Sequence, residues 1–96
     1  MFVHVFAFVW KEPATAQDRA RAMREIAALP GQIAQVRSLW LGDNVSANAP
    51  AYSTSGVMTF ADAESYQAYT RHPAHLALLD WLVPLIEALE IDFTAA

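Results

Sequence analysis

The segment Phe2 to Trp10, FVHVFAFVW, constrains the fold of this 96-residue chain more than any other stretch. It is a run of β-branched and aromatic residues broken only by His4, which reads as a strand buried on both faces. Side chains alternate along a strand, so His4, Phe6, Phe8 and Trp10 share one face and Val3, Val5, Ala7 and Val9 the other. A strand with two apolar faces must be covered twice. A chain of this length fits one domain, 1–96, with a small core that offers little to cover a second face.

The remaining segments supply the first cover. Thr15 to Leu29 reads as a helix, opened by Thr15 with Asp18 in a capping-box pattern and stopped by Pro30-Gly31. Its stripe Ala22, Met23, Ile26 and Leu29 faces inward, while Arg19, Arg21, Arg24 and Glu25 face water. Val36 to Leu41 and Tyr52 to Phe60 read as second and third strands, the third weakened by serines and Gly56. Asp62 caps a short helix through Tyr69, and Pro73 restarts one whose buried side is Leu76, Leu79, Leu82 and Val83. Pro84 ends or kinks it, and Leu89 to Thr94 alternates as a last strand.

The order β-α-β-β-α-β predicts an α+β, ferredoxin-like fold: a four-stranded antiparallel sheet with helices on one face. The other face then lacks cover within the chain. Since 55% of the residues are apolar, a second copy is the expected cover, in a homodimer of sheets closing toward a barrel.

Several functions are disfavoured at once. Cysteine is absent, which removes disulfides, thiolate nucleophiles and thiolate metal sites and fits a cytoplasmic protein. A net charge of −4 with six scattered Lys and Arg argues against nucleic acid and anionic membrane as partners. No apolar run is long enough to span a bilayer, and the first residues lack the basic lead and cleavage site of a signal peptide. The serines have no nucleophile-elbow context and the three glycines form no phosphate loop.

Histidine carries the remaining chemistry. In Tyr69-Thr-Arg-His72-Pro-Ala-His75 the two imidazoles have HxxH spacing, but zinc wants a third protein ligand and no thiol is available, so no metal is expected. His72 precedes proline and is biased toward an extended backbone, which fits a helix-junction residue bonded to backbone. His75 is the better base, since imidazole titrates near neutral pH, and Tyr69 can present a phenol nearby to hold a carbonyl oxygen. Tyr66 reads as packing. His4 is either a satisfied core histidine or a polar group facing a pocket.

His4-Val-Phe-Ala-Phe-Val-Trp10-Lys, Leu29-Pro30, Tyr69-x-x-His72-Pro-Ala-His75 and Asp92-Phe93 resemble the stress-responsive dimeric α/β-barrel (Dabb) domain over essentially the whole chain. The resemblance implies the same ferredoxin-like homodimer. It is similar at its key positions to polyketide cyclases of the olivetolic acid cyclase type, lyases that close a linear poly-β-keto chain by intramolecular aldol condensation without a cofactor. By that resemblance His75 is the catalytic base, Tyr69 the phenol on the substrate carbonyl and His4 a substrate-facing partner. Asp92 is a carboxylate that helps place the histidine. Departures redraw the pocket: Thr54 stands where such cyclases carry a further histidine and Ala22 where they carry a tyrosine. Gly56 and Met58 replace valines, and Phe6 and Phe8 replace smaller residues. An apolar cavity lined by Phe6, Phe8, Met58 and Leu79, with Thr54 and Gly56 at its wall, is expected to hold a small polyketide-like or aromatic substrate.

Two other readings compete. A non-catalytic dimeric module for a small hydrophobic ligand would leave no cavity, with Phe6 and Phe8 filling the space. A cofactor-independent oxygenase would consume oxygen with an electron-rich aromatic substrate, and fold alone does not separate it from a cyclase.

Overall fold

A computed structural model describes residues Met1–Ala96. The order is β1 (Phe2–Trp10), α1 (Ala16–Gln32), β2 (Ser38–Asp43), β3 (Thr54–Phe60), α2 (Ala63–Arg71), α3 (Pro73–Leu82) and β4 (Ile86–Thr94), with a single 3₁₀ turn at Val83–Leu85. The strands form one antiparallel sheet in the order β2-β3-β1-β4. This is the ferredoxin-like arrangement, with the apolar first strand at the interior of the sheet.

Register decides what shares a face. Along β1, His4 lies opposite Met58 on β3 and Asp92 on β4, and Phe6 lies opposite Gly56 and Glu90. These residues point toward the helices, where Phe6, Ile26, Leu29, Phe60, Leu78 and Leu82 are among the buried core. The opposite face carries the row Trp40, Val57, Val5 and Ile91, flanked by Leu89 and Phe93. Within one chain that face is uncovered: Trp40 is 63% and Ile91 51% exposed.

The helix ends follow local chemistry, with two departures from the sequence reading. At the start of α1 the Thr15 hydroxyl accepts from the Asp18 N–H, while the Asp18 carboxylate accepts from the Thr15 N–H. Pro30 does not stop the helix, which runs on to Gln32. Proline in the last turn forfeits one N–H bond, but the Ile33 N–H still closes on the Leu29 carbonyl. Burial of Leu29 and Ile33 against the sheet outweighs that loss. Leu82 of α3 is buried as expected, but Leu76, and Val83 just beyond the helix, are each 52% exposed, and Leu78 is buried in place of Leu76. The strands also shift: β2 begins at Ser38 and β4 at Ile86.

Candidate active site

The joint between α2 and α3 builds the centre of the site. Pro73 forces His72 into an extended conformation, φ −66° and ψ 138°, so α2 must end there. The two imidazoles then finish the two helices. The His72 Nδ1 accepts the Ala74 N–H at 3.0 Å and caps the start of α3. The His75 Nδ1–H donates to the Thr70 carbonyl at 3.0 Å, one of the last-turn carbonyls that a helix leaves without an internal partner. His72 is thus spent on capping and is not among the cavity-lining residues.

That bond fixes the His75 tautomer. With Nδ1 carrying the proton, Nε2 keeps its lone pair and has no partner in the chain. The His75 ring lies 4.4 Å, centroid to centroid, from the ring of Tyr69. Burial lowers the His75 pKa below its ordinary 6.5, against an opposing pull from the Thr70 carbonyl. Burial also pushes the Tyr69 phenol well above its ordinary value, so it remains a hydrogen-bond donor. The pair therefore presents a neutral base beside a protonated phenol at neutral pH.

His4 completes the constellation from the sheet. It is 4% exposed, and its Nδ1 meets the Asp92 Oδ1 at 2.5 Å across the β1–β4 register. Its ring stands 6.3 Å from that of Tyr69 and 5.1 Å from that of Tyr66. Asp92 accordingly faces the helices, and the histidine it places is His4.

These groups open on a cavity of about 310 Å³. His4, Phe6, Phe8, Met58, Tyr69, His75 and Leu79 line it, together with apolar residues of α1, α3 and β4. Thr54 and Gly56 do not. The Thr54 hydroxyl is taken by the Trp10 indole N–H at 3.0 Å. A Cβ on Gly56 would overlap the Phe6 ring, so the glycine leaves the room that ring takes up against β3. Phe6 and Phe8 thus form wall without filling the space. No three His, Cys, Asp or Glu side chains converge where they could share a cation.

Among the lining residues that escaped the sequence reading, Tyr66 and Glu90 are the ones with titratable side chains. Tyr66 stacks on Phe2 at 4.8 Å and so packs as expected, yet it also borders the cavity. Glu90 lies two residues before Asp92 on β4; strand parity with Asp92 was the available signal.

The His75 titration gives a pH prediction. If His75 is the working base, turnover rises with pH and levels off after an inflection below 6.5, since the lowered pKa keeps the ring neutral into mild acid. Folding stability follows the same sign. The unfolded chain binds this proton more readily, so the His75 contribution is whole above its unfolded value and drains as pH falls through the lowered folded one. A pH–rate profile with its inflection above neutrality would remove His75 from this role.

The family model for the stress-responsive A/B barrel domain (Dabb) matches residues 2–95. Among solved structures, a Dabb family protein with a ferredoxin-like fold from Mesorhizobium loti is 26% identical, with a TM-score of 0.84, covering 99% of this chain and 96% of its own. A dimeric ferredoxin-like protein of unknown function from Thermobifida fusca is 21% identical with a TM-score of 0.85, over 98% and 90% of the two chains. The hydroxynitrile lyase of Passiflora edulis has the same fold, with a TM-score of 0.89 at 10% identity over 99% and 93%. No curated protein matches the sequence.

Proposed function

We propose that this chain, which belongs to the stress-responsive A/B barrel (Dabb) family, is a cofactor-free acid–base enzyme of the polyketide cyclase kind. It catalyses intramolecular aldol condensation of a small polyketide-like or aromatic substrate. The observation that carries this reading is the unpartnered Nε2 of His75 beside the Tyr69 phenol, both on the wall of an apolar cavity. A hydroxynitrile lyase on the same fold is consistent with carbonyl chemistry here.

The steps need only these groups. His75 Nε2 takes a proton from the carbon α to a carbonyl, and the Tyr69 O–H donates to the oxygen on which negative charge develops. The resulting enolate carbon attacks a ketone further along the same chain, forming the C–C bond while the ketone π pair moves to oxygen. The proton held on His75 then passes to that alkoxide, restoring the neutral base. A second α-proton removal by His75 expels the hydroxyl, which leaves as water with that proton and completes the condensation. Positioned proton transfer contributes on the order of 10²–10⁴-fold, and holding a flexible chain in one attack geometry contributes at least as much. His4, fixed by Asp92, offers its Nε2 edge to the substrate.

The protein works as a homodimer, in keeping with relatives described as dimeric, and the uncovered sheet face of this chain is the surface that pairs. The α-proton step is tested directly in D₂O with a linear β-diketone. Deuterium should enter the methylene between the carbonyls faster with the protein than in buffer alone, as read by NMR. Exchange at the buffer rate would defeat the reading.

A further inference from the structure

Glu90 gives the cavity a sign. The residue sits on β4 opposite Phe6 and lines the cavity beside His4, Tyr66 and Tyr69. Its Oε1 lies 3.9 Å from the His4 Nε2, too long for a hydrogen bond, and its side chain is 59% exposed. Asp92 holds the other His4 nitrogen. Two carboxylates therefore flank one imidazole, and even a charged His4 leaves the local balance negative. His75 does not offset it, since burial keeps that ring neutral at neutral pH. Burial, followed by the charges of Asp92 and Glu90, holds the Tyr66 phenol above its ordinary value, which reports the same field. The neighbouring wall includes the aromatic side chains of Phe6, Phe8, Tyr66 and Tyr69, and aromatic rings attract cations to their faces.

We infer that the site selects a substrate whose apolar body ends in a cationic amine and discriminates against one ending in a free carboxylate, with Glu90 as the specificity-determining residue. This rests on the acid–base reading above for the site's identity, and it adds the substrate's charge. Oxygen acceptors on Glu90 receive the ammonium hydrogens while the aromatic walls enclose the alkyl or aryl stem. A carboxylate in the same place would meet Glu90 as a like charge, and one imidazole between two carboxylates does not reverse that sign.

Hexylamine, hexanol and hexanoate test this by NMR titration of the intact protein, following the resonances of His75 and Leu79. At low salt the amine should bind roughly tenfold more tightly than the carboxylate, with the alcohol between, a margin modest because Glu90 is open to solvent. The margin should shrink as salt is raised. Glu90→Gln, at an exposed position where folding is not at stake, should bring the amine and carboxylate within about threefold of each other. Equal binding in the native chain, an unchanged ratio in Glu90→Gln, or no shift with any probe would overturn the proposal. Correct ranking without α-proton exchange would remove the acid–base reading alone. Exchange without ranking would remove only the charge preference.

Discussion

His75→Ala should lose on the order of 10²–10⁴-fold in α-proton exchange and in ring closure while the fold and the dimer persist. The imidazole is the one group on the cavity wall with a free basic nitrogen whose tautomer the backbone fixes. Its removal leaves the Tyr69 phenol, a donor that cannot take a proton from carbon, and His4, whose ring stands 6.3 Å from that of Tyr69 against 4.4 Å for His75. The structural cost is small by comparison. His75 is only partly buried, and the Thr70 carbonyl it leaves lies in a last turn where water can replace it, so about 1 kcal/mol is expected. His75→Gln sharpens the experiment, because its amide can still donate to that carbonyl but cannot act as a base. Rates in both variants, with melting temperature as the control, decide the matter. Near-native turnover in either one, with the fold intact, would exclude His75 as the base.

Ile91→Glu should convert the protein to monomers at concentrations where the native chain is dimeric. Ile91 ends the row Trp40, Val57, Val5 and Ile91 across the uncovered face. Burying an isoleucine or tryptophan there contributes roughly 1.5–3 kcal/mol each. In a twofold interface the same substitution enters from both copies, so two unpaired carboxylates would face a dry surface, at a cost of several kcal/mol per ion. In the monomer Ile91 is half exposed, so folding is expected to survive. Analytical ultracentrifugation of the native and substituted chains reads the mass directly. A native monomer, or a substituted dimer of unchanged affinity, would contradict assembly through this face.

The elements were largely legible because their signals are local. The doubly apolar first strand, the Thr15–Asp18 capping box and the Asp62 cap each depend on residues within a few positions. The errors fell where distant burial outweighs local preference. Pro30 reads as a stop, yet Leu29 and Ile33 hold the last turn of α1 against the sheet. On α3 the inward reading holds at Leu79 and Leu82 and fails at Leu76, where Leu78 is the buried residue instead. Thr54 and Gly56 lie on the predicted face of β3, but parity does not reveal that Trp10 claims the Thr54 hydroxyl or that Phe6 covers Gly56.

By itself the sequence determined the order of elements, the antiparallel sheet covered on one side, and the residues able to move a proton. These follow from side-chain alternation, helix capping and imidazole chemistry, all properties of short segments. The tertiary structure alone decided which nitrogen of His75 is free, that Asp92 serves His4, that Glu90 faces the cavity, and that space remains between Phe6 and Tyr69. Those outcomes depend on register between strands far apart in the chain and on how a helix joint turns. No short window of residues encodes either.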